Sequence, residues 1–244
     1  MGLQALRSAA VTTVPEVRAL LFDVFGTVVD WRSAVIRAGE AVAPGAAWPA
    51  IADDWRRDGY LVPIARIALG ERPFEPVDSL LATKLDELLD RHGIELEPPT
   101  RADLARVWHR LDPWPDSVAG LTRLRTRYTI APLSNGGFDL LTNMAKRAGL
   151  PWDCIISAEL FHTFKPDPRA YRGGVELLGL EPGQVMLVAA HVYDLRSAAA
   201  QGLHTAYVPR PHEWGPGATP PEAPDPAFDV VATDFEDLAA QLGC

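Results

Sequence analysis

The sequence predicts an open, doubly wound α/β sheet with a block of helices inserted after its first strand. Three observations point there. Short, nearly continuous apolar runs recur along the chain and read as parallel strands buried on both faces. Helical patterns alternate with those runs through the second half. Between Ser33 and Asp112 the alternation stops and only helical patterns remain.

Val17–Phe22 (VRALLF) is the first run and ends at Asp23. The inserted helices read as Ser33–Val42, Pro49–Ala68, Val77–His92 and Thr100–Leu111. Pro113-Trp114-Pro115 then ends the insert before Asp116 opens another helix. Further strands read at Tyr128–Leu133, Val185–Ala189 and Thr205–Val208, with weaker ones at Cys154–Ile156 and Asp229–Val231. Between them lie helices at Phe138–Ala148, Pro168–Leu178, Asp194–Gln201 and Phe235–Leu242, with Gly149, Gly179 and Gly202 where helix C-caps belong. Pro209–Pro226, rich in Pro and Gly, reads as an ordered surface loop. The division that follows is a loose tail over residues 1–14, an α/β core over 15–32 and 113–244, and a helical cap over 33–112.

Composition narrows the function. A formal net charge of −9 argues against nucleic acid or an anionic membrane as the partner. An acidic chain that binds an anion must build a local positive pocket from a few placed Arg and Lys residues. Cys154 and Cys244 form neither a metal-ligand spacing nor a disulfide framework, which fits a reducing cytoplasm. No apolar run approaches the roughly 20 residues that span a bilayer.

Ligands of open α/β sheets bind beyond the carboxyl ends of the strands. The residues just past the strands here are Asp23, then Ser134-Asn135-Gly136-Gly137, then His191 and Asp194; Lys165 precedes a helix begun by Pro166-Asp167-Pro168. Each alone has a bland reading, since Asp, Asn and Ser-Asn-Gly-Gly suit turns and N-caps and most lysines are solvated. Together, a carboxylate, a hydroxyl, an amide, an amine and a second carboxylate converge on one edge.

These segments carry a resemblance. Asp23-Val24-Phe25-Gly26-Thr27 resembles the first motif of the haloacid dehalogenase superfamily, Leu133-Ser134-Asn135-Gly136 its second and Lys165-Pro166-Asp167-Pro168 its third. Ala190-His191-Val192-Tyr193-Asp194 occupies the place of its fourth. Trp31, the helical insert and Trp114-Pro115-Asp116 also resemble the 2-haloacid dehalogenase branch. The resemblance implies a Rossmann-like core with an inserted cap; similar chains are often dimers packed through cap helices, which leaves monomer and homodimer both open.

Most members of this superfamily are similar in being phosphatases, with a second Asp two residues after the nucleophile that protonates the leaving alkoxide. Phe25 stands there and cannot donate a proton. Halide needs hydrogen-bond donors and a dry pocket rather than an acid. The resemblance therefore implies hydrolysis of small 2-haloacids by water, with no metal and no cofactor. Asp23 would attack C2 in line with inversion and form an aspartyl ester. Lys165 would lower the pKa of Asp23 and help to hold the substrate carboxylate. Ser134 would contact that carboxylate and Asn135 the departing halide, with Phe25 and Thr27 completing the substrate side. Asp194 would orient the hydrolytic water and pair with Lys165.

His191 stands where better-known relatives carry Asn. It is open between a water-activating base and a hydrogen-bonded supporting residue. In Trp55-Arg56-Arg57-Asp58-Gly59-Tyr60 the halide-holding Arg is expected at Arg56. The spacing to Tyr60 is one residue long, so Arg57 is the alternative. Two rival functions stand beside dehalogenation: a Mg²⁺-dependent phosphatase and a non-catalytic binding protein on the same fold. A third option is another small electrophilic acid, including a fluorinated one.

Overall fold

The computed structural model describes residues 16–244, so the expected tail over residues 1–14 lies outside it. The strands are β1 (Ala19–Phe22), β2 (Val29–Asp30), β3 (Asp112–Pro113), β4 (Thr129–Ser134), β5 (Ile156–Ser157), β6 (Val185–Ala189), β7 (His204–Tyr207) and β8 (Val230–Val231). The helices are α1 (Trp31–Val42), α2 (Trp48–Arg56), α3 (Val62–Ala68), α4 (Val77–Arg91), α5 (Pro98–Ala105), α6 (Ser117–Leu124), α7 (Phe138–Ala148), α8 (Pro168–Leu177), α9 (Val192–Ala199) and α10 (Phe235–Gln241).

Six strands form one parallel sheet in the order β5-β4-β1-β6-β7-β8. The continuous apolar runs follow from two-sided burial. Leu20 and Phe22 of β1 join one apolar cluster, with Met186 and Val188 of β6; Ala19, Leu21 and Leu187 join the other. Each fully buried Leu or Phe contributes roughly 1.5–3 kcal/mol. β1 lies between β4 and β6, where the strand order reverses. A crevice therefore opens at their carboxyl ends.

The helices between β2 and β3 hang from a two-residue antiparallel ribbon, Val29–Asp30 against Asp112–Pro113, too short to leave a sequence pattern. Asp30 caps α1 by accepting from the Ser33 backbone N–H at 3.0 Å. Gly149, at φ +68°, closes α7 in the left-handed region.

Several expected boundaries are corrected. The helix expected over Pro49–Ala68 is two helices joined by a π turn, Arg57–Leu61. The helix expected from Thr100 begins at Pro98, because proline in a first turn loses no hydrogen bond; its end tightens into a 3-10 turn, Arg106–Arg110. Asp116 precedes α6 without capping it, since its carboxylate is taken by Arg210 and by the Phe235 N–H. The helix expected from Asp194 starts at Val192, which puts Asp194 in the first turn rather than at the N-cap.

Candidate active site

β1 ends by delivering Asp23 to the crevice. The Asp23 N–H still donates to Val188 O of β6 at 3.0 Å, so the nucleophile candidate is fixed by the sheet itself. Its side chain is almost buried. Thr27 Oγ1 donates to Asp23 Oδ2 at 2.7 Å and accepts from the Ala190 N–H at 2.9 Å. Lys165 Nζ donates to Asp23 Oδ1 at 3.0 Å and to Asp194 Oδ2 at 2.5 Å, bridging the two carboxylates. Tyr171, from α8, donates to the other Asp194 oxygen at 2.6 Å. The sequence reading missed Tyr171; its place one turn into the helix after Lys165-Pro166-Asp167-Pro168 was the available signal.

The second motif supports Lys165. Asn135 Oδ1 accepts from the Lys165 N–H at 2.6 Å, and Asn135 Nδ2 donates to Lys165 O at 3.1 Å. One Nδ2 hydrogen is left for a ligand. Ser134 is buried at the end of β4, and its Oγ accepts from the Gly136 N–H at 3.1 Å. Its hydroxyl hydrogen remains for a ligand.

His191 lies between two carboxylates. Nδ1 is 2.9 Å from Asp23 Oδ2 and Nε2 is 3.0 Å from Glu213 Oε2. Carboxylates only accept, so both ring nitrogens carry hydrogen and the ring is an imidazolium. Burial opposes that charge, but Glu213 and Asp23 outweigh it and push the ring up to about 10. The neutral base considered from the sequence is therefore not the resting form.

Glu213 was not foreseen. It comes from the Pro/Gly-rich loop, which is more than a surface connection: Arg210 beside it is buried, donating to Thr27 O and bidentately to Asp116. Trp31 Nε1 holds Glu213 Oε1 at 3.1 Å. Gly26 makes room, because a Cβ there would lie 2.1 Å from Glu213 Oε1 and its φ is +87°. A cavity of about 450 Å³ opens against the His191–Glu213 pair, lined also by Tyr193, Trp214 and Pro220.

The charges sort by position. Burial alone would raise Asp23, yet Lys165 and His191 hold it well below the usual carboxylate range. Asp194, which shares Lys165, is pushed up by burial and by Asp23. Lys165 stays charged between them despite burial.

The inserted helices supply the opposite wall. Arg56, 3% exposed, lies 4.1 Å over the Tyr60 ring, 5.4 Å from Phe25 and 5.5 Å from Trp31. Its Nε and Nη1 find no hydrogen-bond partner among the described residues. Arg57 points to the surface, paired with Asp54 and Asp58. Geometry thus separates the two candidates: Tyr60, within the π turn, lies beneath Arg56. Phe25 is buried against Tyr60 and Trp108.

A set of possible metal donors is formed by Asp78 of α4, His109 and Asp139 of α7. His109 there is already bonded to Asp78 and to Asn143. Among the described residues no helix is long and apolar enough to cross a membrane.

The profile of the haloacid dehalogenase-like hydrolases matches residues 17–202. The (S)-2-haloacid dehalogenase of Xanthobacter autotrophicus is 31% identical over 196 residues, 80% of this chain and 76% of the relative. A solved defluorinating L-2-haloacid dehalogenase is 46% identical with a TM-score of 0.88, covering 93% of this chain and 96% of its own. The L-2-haloacid dehalogenase of Xanthobacter autotrophicus, solved with chloropropionic acid covalently bound, is 28% identical with a TM-score of 0.78, covering 92% of this chain and 97% of its own.

Proposed function

The chain belongs to the haloacid dehalogenase-like hydrolases, and on that premise we propose that it hydrolyses small (S)-2-haloalkanoic acids to the 2-hydroxy acids. The observation that carries this is the pairing around Asp23. Its ionised carboxylate is held by Lys165 and His191, while the residue two positions on is a buried Phe25 with no proton to give. Such a site suits displacement of an anion that leaves without protonation.

Asp23 attacks C2 opposite the halogen, the C2–halogen pair leaves with the halide, and water then cleaves the aspartyl ester. Arg56, with two unsatisfied donors, receives the halide together with the free Asn135 hydrogen. Ser134 and Lys165 face the substrate carboxylate. The rings of Phe25, Tyr60 and Trp108 keep water from the reacting carbon. Lys165 bridges Asp23 and Asp194, supplying the positive charge that a divalent ion supplies to a pair of carboxylates. The proposal extends to a metal-independent enzyme with a cap over residues 33–112, working in the cytoplasm as a homodimer. The free thiols of Cys154 and Cys244 agree with that compartment.

The test is halide release from both enantiomers of 2-chloropropionate and from fluoroacetate, in the presence of EDTA. Release from the (S) enantiomer that Asp23→Asn abolishes is expected. Turnover persisting in Asp23→Asn, or a strict requirement for Mg²⁺, would overturn the reading.

A further inference from the structure

The two oxygens of Asp23 are not equivalent. Oδ2 receives two hydrogen bonds, from Thr27 Oγ1 at 2.7 Å and from His191 Nδ1 at 2.9 Å; Oδ1 receives one, from Lys165. Donors withdraw lone-pair density, so Oδ1 is the freer nucleophile. When it bonds to C2, Oδ2 is left as the ester carbonyl oxygen, still facing Thr27 and His191.

Resting on the dehalogenation reading, we propose that Thr27 and the His191 imidazolium form the oxyanion cradle for ester hydrolysis, and that Glu213 is the positioning residue that keeps His191 protonated once Asp23 has lost its charge. The cradle is preorganised: the Thr27 hydroxyl is aimed by the Ala190 N–H, and the His191 ring by Glu213, itself fixed by Trp31.

The step balances as follows. Water adds to Asp23 Cγ, one of its protons passes to Asp194, and the carbonyl pair moves onto Oδ2. Collapse re-forms the Cγ–Oδ2 double bond and breaks the Cγ–Oδ1 bond. The departing 2-hydroxy acid oxygen takes the proton from Asp194. The second water proton, left on Asp23, goes to solvent as the carboxylate re-ionises, so one proton is released per halide. Burial raises Asp194 and so strengthens it as an acceptor, while the hydrogen bond from Lys165 keeps it ionised before water attacks.

The sign of the pH dependence separates this role from that of a base. Charged and titratable groups around His191 are Asp23 at the end of β1, Glu213 in the loop and Tyr193 of α9, stacked at 5.6 Å. Asp194, Lys165 and Arg56 lie behind them. Esterification removes the charge of Asp23 and leaves Glu213 as the ring's direct counter-ion. A donor works only while protonated, so ester hydrolysis should be level at neutral pH and fall on the alkaline side. Without Glu213 the ring's pKa drops, and the fall moves to lower pH.

The experiment is single-turnover mixing with (S)-2-chloropropionate across about pH 6 to 10, following halide release and, by intact-protein mass spectrometry, decay of the ester. Glu213→Gln should keep its halide burst but accumulate ester near pH 9, with decay slowed on the order of 10²-fold and largely recovered near pH 6. His191→Gln, which retains a neutral donor, should decay slowly and without that alkaline limb. Wild-type ester decay that climbs with pH through neutrality, or a Glu213→Gln profile matching wild type, would overturn the proposal. The wild-type profile alone decides the sign if the variants fail to fold. Absence of any halide burst from wild type would instead sink the dehalogenation reading.

Discussion

Arg56 shows how far this site departs from what stability alone would select. A guanidinium 3% exposed and lacking partners for two nitrogens has lost its hydration. Cation–π contact with Tyr60 returns about 0.5–2 kcal/mol, against a desolvation cost of several kcal/mol for a buried ion. The deficit makes the pocket hungry for an anion. Arg56→Met, similar in reach and apolar, is therefore expected to hold Tm or raise it by roughly 2–4 °C, equivalent to about 1 kcal/mol. Halide release should fall by on the order of 10²-fold or more. Calorimetry beside a halide assay checks both; a large loss of Tm would mean that Arg56 is a structural brace. The same scale shows what the sequence could reveal. Asp23, Lys165 and Asp194 are each adjacent to a strand end or helix start, so local pattern exposes them. Glu213 reaches Trp31 across 182 residues of chain, from a loop tethered by Arg210, and no local pattern encodes that approach.

Among the elements, the π turn Arg57–Leu61 sets the final register of Tyr60 against Arg56. An α-helix advances about 100° per residue, so Tyr60, four residues on, shares a helix face with Arg56, offset by about 40°. The wider turn shifts that offset and leaves the guanidinium 4.1 Å over the ring, and such turns are frequent at functional sites. Their local composition is that of ordinary helix, which is why a single helix over Pro49–Ala68 is what the sequence suggests. Deleting Asp58 should convert the turn to α-helix. That loses only exposed pairs with Arg57, worth little to stability, but moves Tyr60 relative to Arg56. Far-UV circular dichroism should then be unchanged while halide release drops by about 10²-fold, the scale expected for misplacing a reacting group by roughly 1 Å. Retained activity would show that the register of Tyr60 does not matter. The two-residue ribbon β2–β3 was equally hidden, since period-two alternation needs more residues than it has.

Over the whole molecule, fold class was legible because two-sided burial of a parallel sheet writes itself as continuous apolar strands, and the inserted helices interrupt that rhythm. The wall that faces Asp23 comes from the insert, and junction contacts such as Arg147 of α7 to Asp112 and Asn143 to His109 set the two parts together. Charge is the property that acts at this scale. The protein carries a formal −9 while its proposed substrate is a monoanion. At about 20 Å in water that repulsion is roughly 2 kcal/mol unscreened. The Debye length shrinks from about 30 Å at 0.01 M to about 10 Å at 0.1 M. Local attraction from Arg56 and Lys165 is short-ranged and buried, hence nearly unscreened. Approach, not capture, should therefore respond to salt. Over that range kcat/KM for (S)-2-chloropropionate is expected to rise roughly threefold, the reverse of an electrostatically steered enzyme. The titration needs a halide-free salt, so that product inhibition does not intrude, and kcat should stay level. A decline in kcat/KM would mean that the positive pocket projects its field past the acidic surface and draws the substrate in.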